Sequence, residues 1–172
     1  MKKLFYIFAI LPIILFAHPH TFLDVYTDVK SKNNQIESVT FKWVFDDMTS
    51  QLLIMEFDQN MDGDIDKEEV KFIKTNYFDS LEQYNYYTNL KIMNKIQTTK
   101  VKNFTSYIEN MKIVYQFEIE INRDKKDVAI EIYDEERFTA LVLKKEFVSS
   151  KIKYKVSDVD YDIYFGYRLE FE

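Results

Sequence analysis

The chain has no cysteine, two glycines, two prolines and two histidines in 172 residues. Without cysteine there is no disulfide framework, no thiolate metal site and no thiol nucleophile. Two glycines cannot build a glycine-rich phosphate loop. Both histidines sit near the start, so no Ser–His or His–Asp pair remains elsewhere for catalysis. Basic residues are outnumbered, 23 against 29 acidic, for a net charge of −6. That balance argues against nucleic acid as a partner, because neutralising phosphates takes clustered Lys and Arg. The apolar fraction of 47 % is enough for a core, so disorder is not the default. The length suits one domain.

What is present begins with an export signal. Met1-Lys2-Lys3 is a short positive start, and Leu4 to Phe16 is an apolar run broken only by Pro12. Ala17 then offers a small residue for cleavage. This is the layout of a secretory signal peptide over residues 1–17. The run is shorter than the ~20 apolar residues of a spanning helix. A two-lysine start and a short apolar run suggest a bacterial protein released into the periplasm. Cleavage between Ala17 and His18 leaves residues 18–172 as a single domain and removes Lys2 and Lys3, which deepens the negative balance. His18, Pro19 and His20 then follow a free amine.

The body reads as strands with one helical insert. Thr21 to Lys30 reads as a strand, and Lys32-Asn33-Asn34-Gln35 as a hairpin turn. Val39, Phe41, Trp43 and Phe45 alternate with Ser38, Thr40, Lys42 and Val44, the period of a half-buried strand. Ile113 to Ile121, Val128 to Ile132 and Ile152 to Val156 repeat the pattern. Tyr161, Ile163, Phe165, Tyr167, Leu169 and Phe171 line one face of a last strand. Strands with one apolar face must pack on something apolar, and two antiparallel sheets face to face are the simplest solution. The expected class is α+β, mainly an antiparallel β-sandwich. Its helix-loop-helix insert runs from about Asp47 to about Tyr84, where the alternation lapses. Leu52, Leu53, Met55 and Phe57 suit one short helix, with Asp46, Asp47, Thr49 or Ser50 as caps. Val70, Phe72, Ile73, Tyr77 and Leu81 suit a second.

Between those helices, Asp58 to Glu69 matches the twelve-residue EF-hand loop. Asp58, Asn60 and Asp62 place side-chain oxygens at alternate positions. Gly63 allows the sharp turn, and Asp64 offers its backbone carbonyl. Ile65 supplies an apolar contact. Asp66 binds directly or through water, and Glu69 closes the site with two oxygens. Hard oxygen ligands of this kind select Ca²⁺ over Mg²⁺. No second loop of the type occurs. A lone loop is expected to be structural, ordering the insert on the sheet.

A second candidate site is the mature start. The amine and imidazole of His18 can chelate one metal, and His20 adds a second imidazole. This nitrogen chemistry suits Zn²⁺, Cu²⁺ or Ni²⁺. Pro19 has no N–H, which excludes a square-planar site built from successive backbone nitrogens. A full Zn²⁺ site needs one or two further ligands. Asp24 is the nearest, with Asp46, Asp47 and Asp134 possible from a distance. The plain alternative is a pair of exposed terminal histidines.

His18-Pro19-His20-Thr21-Phe22-Leu23-Asp24 resembles the His-Pro-His-x-x-x-Asp opening of a family of bacterial periplasmic proteins. Its best-described branch is the ZevA-like zinc-binding proteins, which accompany NicO-type nickel/cobalt/zinc permeases. Trp43-Val44-Phe45-Asp46-Asp47, the Asp58–Glu69 loop, and Ile132-Tyr133-Asp134 ahead of Phe138 resemble further segments in the same order. The charged Glu135-Glu136-Arg137 and the absence of histidine-rich stretches depart from the pattern. The resemblance implies a non-enzymatic periplasmic component of a transport system, in the manner of ABC-type partners. It would capture or deliver zinc, or nickel or cobalt, for an inner-membrane metal permease.

Two other functions stay open. One is a structural or interaction module that uses calcium alone. The other is an enzyme whose N-terminal histidine brace activates copper and oxygen. The run Asp134-Glu135-Glu136 reads as solvated charge, and Tyr84, Tyr86 and Tyr87 as sheet or core aromatics.

Overall fold

The computed structural model describes residues 21–172. The expected signal peptide, its Ala17/His18 junction and the pair His18 and His20 lie outside the described residues. The chain is mainly β with few helices, and its strands form two sheets, an α+β composition.

The first two alternating segments form β1 (Thr21–Lys32) and β2 (Gln35–Phe45). They meet at the turn Asn33-Asn34, with φ of 50° and 62°. Positive φ at both central residues marks the type I′ turn, whose twist matches that of the strands. Asparagine tolerates this left-handed region better than most residues. The device recurs at Met93-Asn94, between β3 (Thr88–Ile92) and β4 (Lys95–Ile96). It recurs again at Asn110-Met111, between β5 (Val101–Glu109) and β6 (Lys112–Asp124). In a chain so short of glycine, these turns fall to asparagine and to exposed methionine.

The remaining strands are β7 (Val128–Ile132), β8 (Thr139–Val142), β9 (Val148–Ser150), β10 (Tyr154–Asp160) and β11 (Phe165–Phe171). One sheet has the order β5-β6-β2-β1-β8, with β9 also on β1. The other has the order β10-β11-β7-β3-β4. The described pairings are antiparallel except two. β8 runs parallel to Thr21–Asp24, and β9 parallel to Thr27–Val29. The first sheet is therefore mixed at one edge, where antiparallel pairing had been expected. Segments this short carry no period from which their direction could be read.

Alternation turns Val25, Val39, Phe41, Trp43, Ile113, Phe117 and Ile119 inward. There they share one buried cluster with Ile130 and Ile132 of β7 and Leu169 and Phe171 of β11. Each such side chain contributes ~1.5–3 kcal/mol on burial. Trp43 is held edge-on against Phe117 at 4.9 Å and stacked on Tyr87 at 6.0 Å.

Two segments depart from simple alternation. All five residues of β7 are buried, because it lies between β11 and β3 and is covered on both faces. Glu131 is tolerated there by Lys91 at 2.8 Å, Arg168 at 3.2 Å and the Tyr161 hydroxyl at 2.7 Å. The last strand begins only at Phe165, since the backbone turns at Asp162, with φ 69°. Ile163 and Phe165, expected on the buried face, are 67 % and 78 % exposed.

The insert holds α1 (Asp47–Phe57) and α2 (Lys67–Ile73). A π turn, Lys74–Phe78, and 3-10 turns, Asp79–Tyr87, carry it on past Tyr84. Asp46 caps α1: it accepts the Thr49 N–H at 2.9 Å and the Phe22 N–H of β1 at 2.9 Å. Burial opposes its charge, but these amides and the Thr49 hydroxyl hold its carboxyl below the usual range. The buried Ser50 hydroxyl donates to Phe45 O and accepts the Ile113 N–H at 3.1 Å, tying α1 to β6. Phe57 and Ile73 are fully buried and anchor the two helices.

Candidate functional site

The Asp58–Glu69 loop joins α1 to α2, and its oxygens accept its own amides. Asp58 takes the N–H of Asp62 at 3.1 Å and of Gly63 at 2.9 Å. Asn60 takes the Asp62 N–H at 2.9 Å, and Asp62 takes the Asp64 N–H at 3.0 Å. Glu69 reaches back to the N–H groups of Gln59, at 2.7 Å, and Asp66, at 2.9 Å. Asp66 in turn accepts the N–H groups of Glu68 and Glu69, completing a capping box that starts α2. Gly63 has φ 89° and open space where a Cβ would stand. Its role is thus conformational rather than steric. Ile65 packs against the protein's own core.

The electrostatics of the loop are one-sided. Asp58 and Glu69 are only 7 % and 5 % exposed. Among the described residues, no basic side chain pairs with a carboxylate of the loop. Among the described residues, backbone amides alone meet these two carboxylates, those of Asp62 and Gly63 at Asp58 and those of Gln59, Asn60 and Asp66 at Glu69. The side chains are turned onto these amides. Among the described residues, no three His, Cys, Asp or Glu side chains converge where they could hold a metal ion. The donors are nonetheless all hard oxygens on a tight loop, with no basic partner among the described residues, which fits a hard divalent cation.

Of the second candidate set, His18 and His20 lie outside the described residues. Asp24 is half-buried on β1, between Val44 of β2 and Val142 of β8. Two other acidic candidates border the start of β1. Asp46 holds the Phe22 N–H, and Asp134 accepts at 2.9 Å the N–H of Thr139, which pairs with Thr21. Asp47 instead pairs with Lys112 at 3.2 Å.

One feature went unread in the sequence. Tyr133 to Glu136, leaving β7, face Gln83 to Asn85, Tyr87 and Asn89 across a cavity of about 170 Å³. Asn85, Tyr86 and Tyr87 are consecutive left-handed residues, with φ of 50°, 53° and 49°. Each costs a non-glycine residue about 1–2 kcal/mol. Of the three tyrosines read as sheet or core aromatics, Tyr86 is buried, whereas Tyr84 and Tyr87 line the cavity. Asp134 is 5 % exposed, unlike the solvated Glu135 and Glu136 beside it. It accepts the N–H groups of Glu136 and Thr139, a turn that a lone Asp after an apolar strand could have signalled. Burial, then the nearby Tyr164 and Glu135, pushes the Tyr133 hydroxyl up to about 12. Burial and then Asp134 also raise Tyr87.

Two curated relatives are similar to the chain. One is an uncharacterized 15.5 kDa protein in the trpE 3′ region of Spirochaeta aurantia, 28 % identical over 110 residues. That alignment covers 62 % of this chain and 76 % of the relative. The other is an uncharacterized protein of Haemophilus influenzae, 24 % identical over 132 residues. It covers 73 % of this chain, which spans only 62 % of that relative's length. A family described as protein of unknown function matches residues 3–159. Since that match takes in most of its length, the chain belongs to this family, DUF1007.

Proposed function

We propose that the protein is a non-enzymatic, periplasmic metal-binding protein. It captures or delivers zinc, or nickel or cobalt, for an inner-membrane permease, and a calcium ion stabilises it. In this reading residues 18–172 form one domain. The two sheets close on their common core as a sandwich, and the Asp58–Glu69 loop is a single EF-hand site.

The observation that carries the reading is the pair of buried carboxylates, Asp58 and Glu69, with no basic partner among the described residues. They stand at the two ends of a twelve-residue oxygen-rich loop whose turn falls on Gly63. Bound calcium supplies the missing positive charge. Asp58, Asn60, Asp62, Asp66 and Glu69 would hold it through side chains and Asp64 through its carbonyl.

The transport part rests on a different set. Asp24, Asp46 and Asp134 lie around the start of β1, immediately after His18 and His20 in the chain. A carboxylate there would complete an amine and imidazole donor set for zinc. The ordered likeness to ZevA-like proteins of NicO-type permeases supports the same reading.

The test is a zinc titration of the exported protein in saturating calcium. The reading expects one tight zinc site per chain. No tight zinc binding would leave a calcium-stabilised interaction module in its place.

A further inference from the structure

We propose that the cavity between Tyr84, Tyr87 and Tyr133 binds the ammonium group of a small organic cation. This site lies apart from the calcium loop and shares with the proposed zinc site only the candidate Asp134. Its volume of about 170 Å³ is below the usual 300–1,000 Å³ of drug-sized ligand sites. The occupant is therefore a short amine or the amine end of a longer molecule.

The walls are aromatic and fixed. The rings of Tyr84 and Tyr87 stack at 6.0 Å, and Tyr87 is backed by Trp43 at 6.0 Å. On the other side Tyr133 is braced by Tyr161 at 5.0 Å and Tyr164 at 5.1 Å. The Tyr133 N–H donates to Tyr87 O at 3.2 Å, joining the two walls. Aromatic faces attract cations, and most strongly where water is partly excluded.

The charge points the same way. Asp134, Glu135 and Glu136 line the cavity, and among the described residues no Lys, Arg or His does. Arg137 follows them in the chain but stands outside the lining. Asp134 is committed to the N–H groups of Glu136 and Thr139, which fixes the turn carrying Glu135 and Glu136. The latter two are exposed and accessible to a ligand. Asn89, 6 % exposed, adds a buried amide to the wall, held by a contact from Asn85 at 3.3 Å. A ligand with N–H donors and an apolar body satisfies the carboxylates and the rings together.

The test is a titration of the whole protein with butylammonium chloride, followed by the fluorescence of Trp43. Butan-1-ol supplies the same body without charge, and sodium chloride the ionic strength. Saturable binding of butylammonium alone is expected. The Glu135→Gln/Glu136→Gln variant should weaken it about ten-fold or more at an unchanged melting temperature. Tyr84→Leu should weaken it too, and the remote Glu146→Gln should not. A response equal for butanol, a linear response, or equal affinity in the Glu135→Gln/Glu136→Gln variant would overturn the proposal.

Discussion

Left-handed backbone conformations among the described residues are carried mostly by residues with side chains, at a cost that glycine would not incur. Met111 sits at φ 62° in an exposed turn with nothing to gain from its side chain. Met111→Gly should raise stability by roughly 0.5–1 kcal/mol, the relief of left-handed strain less the added chain entropy. A urea midpoint reads it. Gly166 is the opposite case. A Cβ there would stand 2.8 Å from both Ile132 O and Tyr133 Cβ, at the end of the antiparallel pairing of β11 with β7. Gly166→Ala should lower stability by about 1–3 kcal/mol, as overpacking does, and the melting temperature should fall. Tyr133 supplies a pH prediction. Its hydroxyl is pushed up to about 12 in the fold by burial, so the fold favours the neutral form. That contribution is whole below the ordinary tyrosine range near 10 and is lost as pH rises towards 12. Stability should therefore drop over that interval, and Tyr133→Phe should flatten the drop. Neither Met111 nor Gly166 had a role legible in the sequence, unlike Gly63 and the Asn33-Asn34 turn. Gly166 and the turn methionines depend on neighbours that no local pattern reveals.

Among the elements, α1 shows how a cap can also act as a link. Asp46 starts the helix and holds the Phe22 N–H of β1, so Asp46→Ala should cost about 1–2 kcal/mol in urea unfolding. Its carboxyl titrates below the usual range, because amide bonds outweigh the burial that opposes its charge. Its stabilisation is therefore present above the ordinary carboxylate range and lost as pH falls through the lowered value. Asp46→Asn should remove that acid-side loss. The cap was readable only as one of Asp46, Asp47, Thr49 or Ser50, whereas the hairpin of β1 and β2 and the core strand β6 were readable outright, because alternation and turn chemistry agree there. β8 and β9 were not, since four and three residues on a parallel edge show no period. β5 was missed because it carries Lys102, Asn103, Thr105 and Ser106 and a register shift between Lys102 and Thr105. The last strand was read too long because Tyr161 and Ile163 keep the period of a strand through a turn.

For the molecule as a whole, the insert joins the acidic loop to the apolar core. It docks through Phe57, Ile73 and Phe78, but its connecting loop confines buried carboxylates that lack a basic partner among the described residues. The loop's spacing was complete in the sequence. The tyrosine cavity was not legible, because it is made where the insert ends beside the exit of β7. For the proposed zinc site, one residue added before His18 should weaken zinc affinity markedly in isothermal titration, since the freed amine is a ligand. The most direct measurement concerns the loop: the melting temperature of the protein with and without calcium, beside that of Glu69→Gln. A calcium-dependent rise in the parent protein and a much smaller one in the variant is the predicted result. An equal rise in both, or none in either, would contradict a calcium site at Asp58–Glu69.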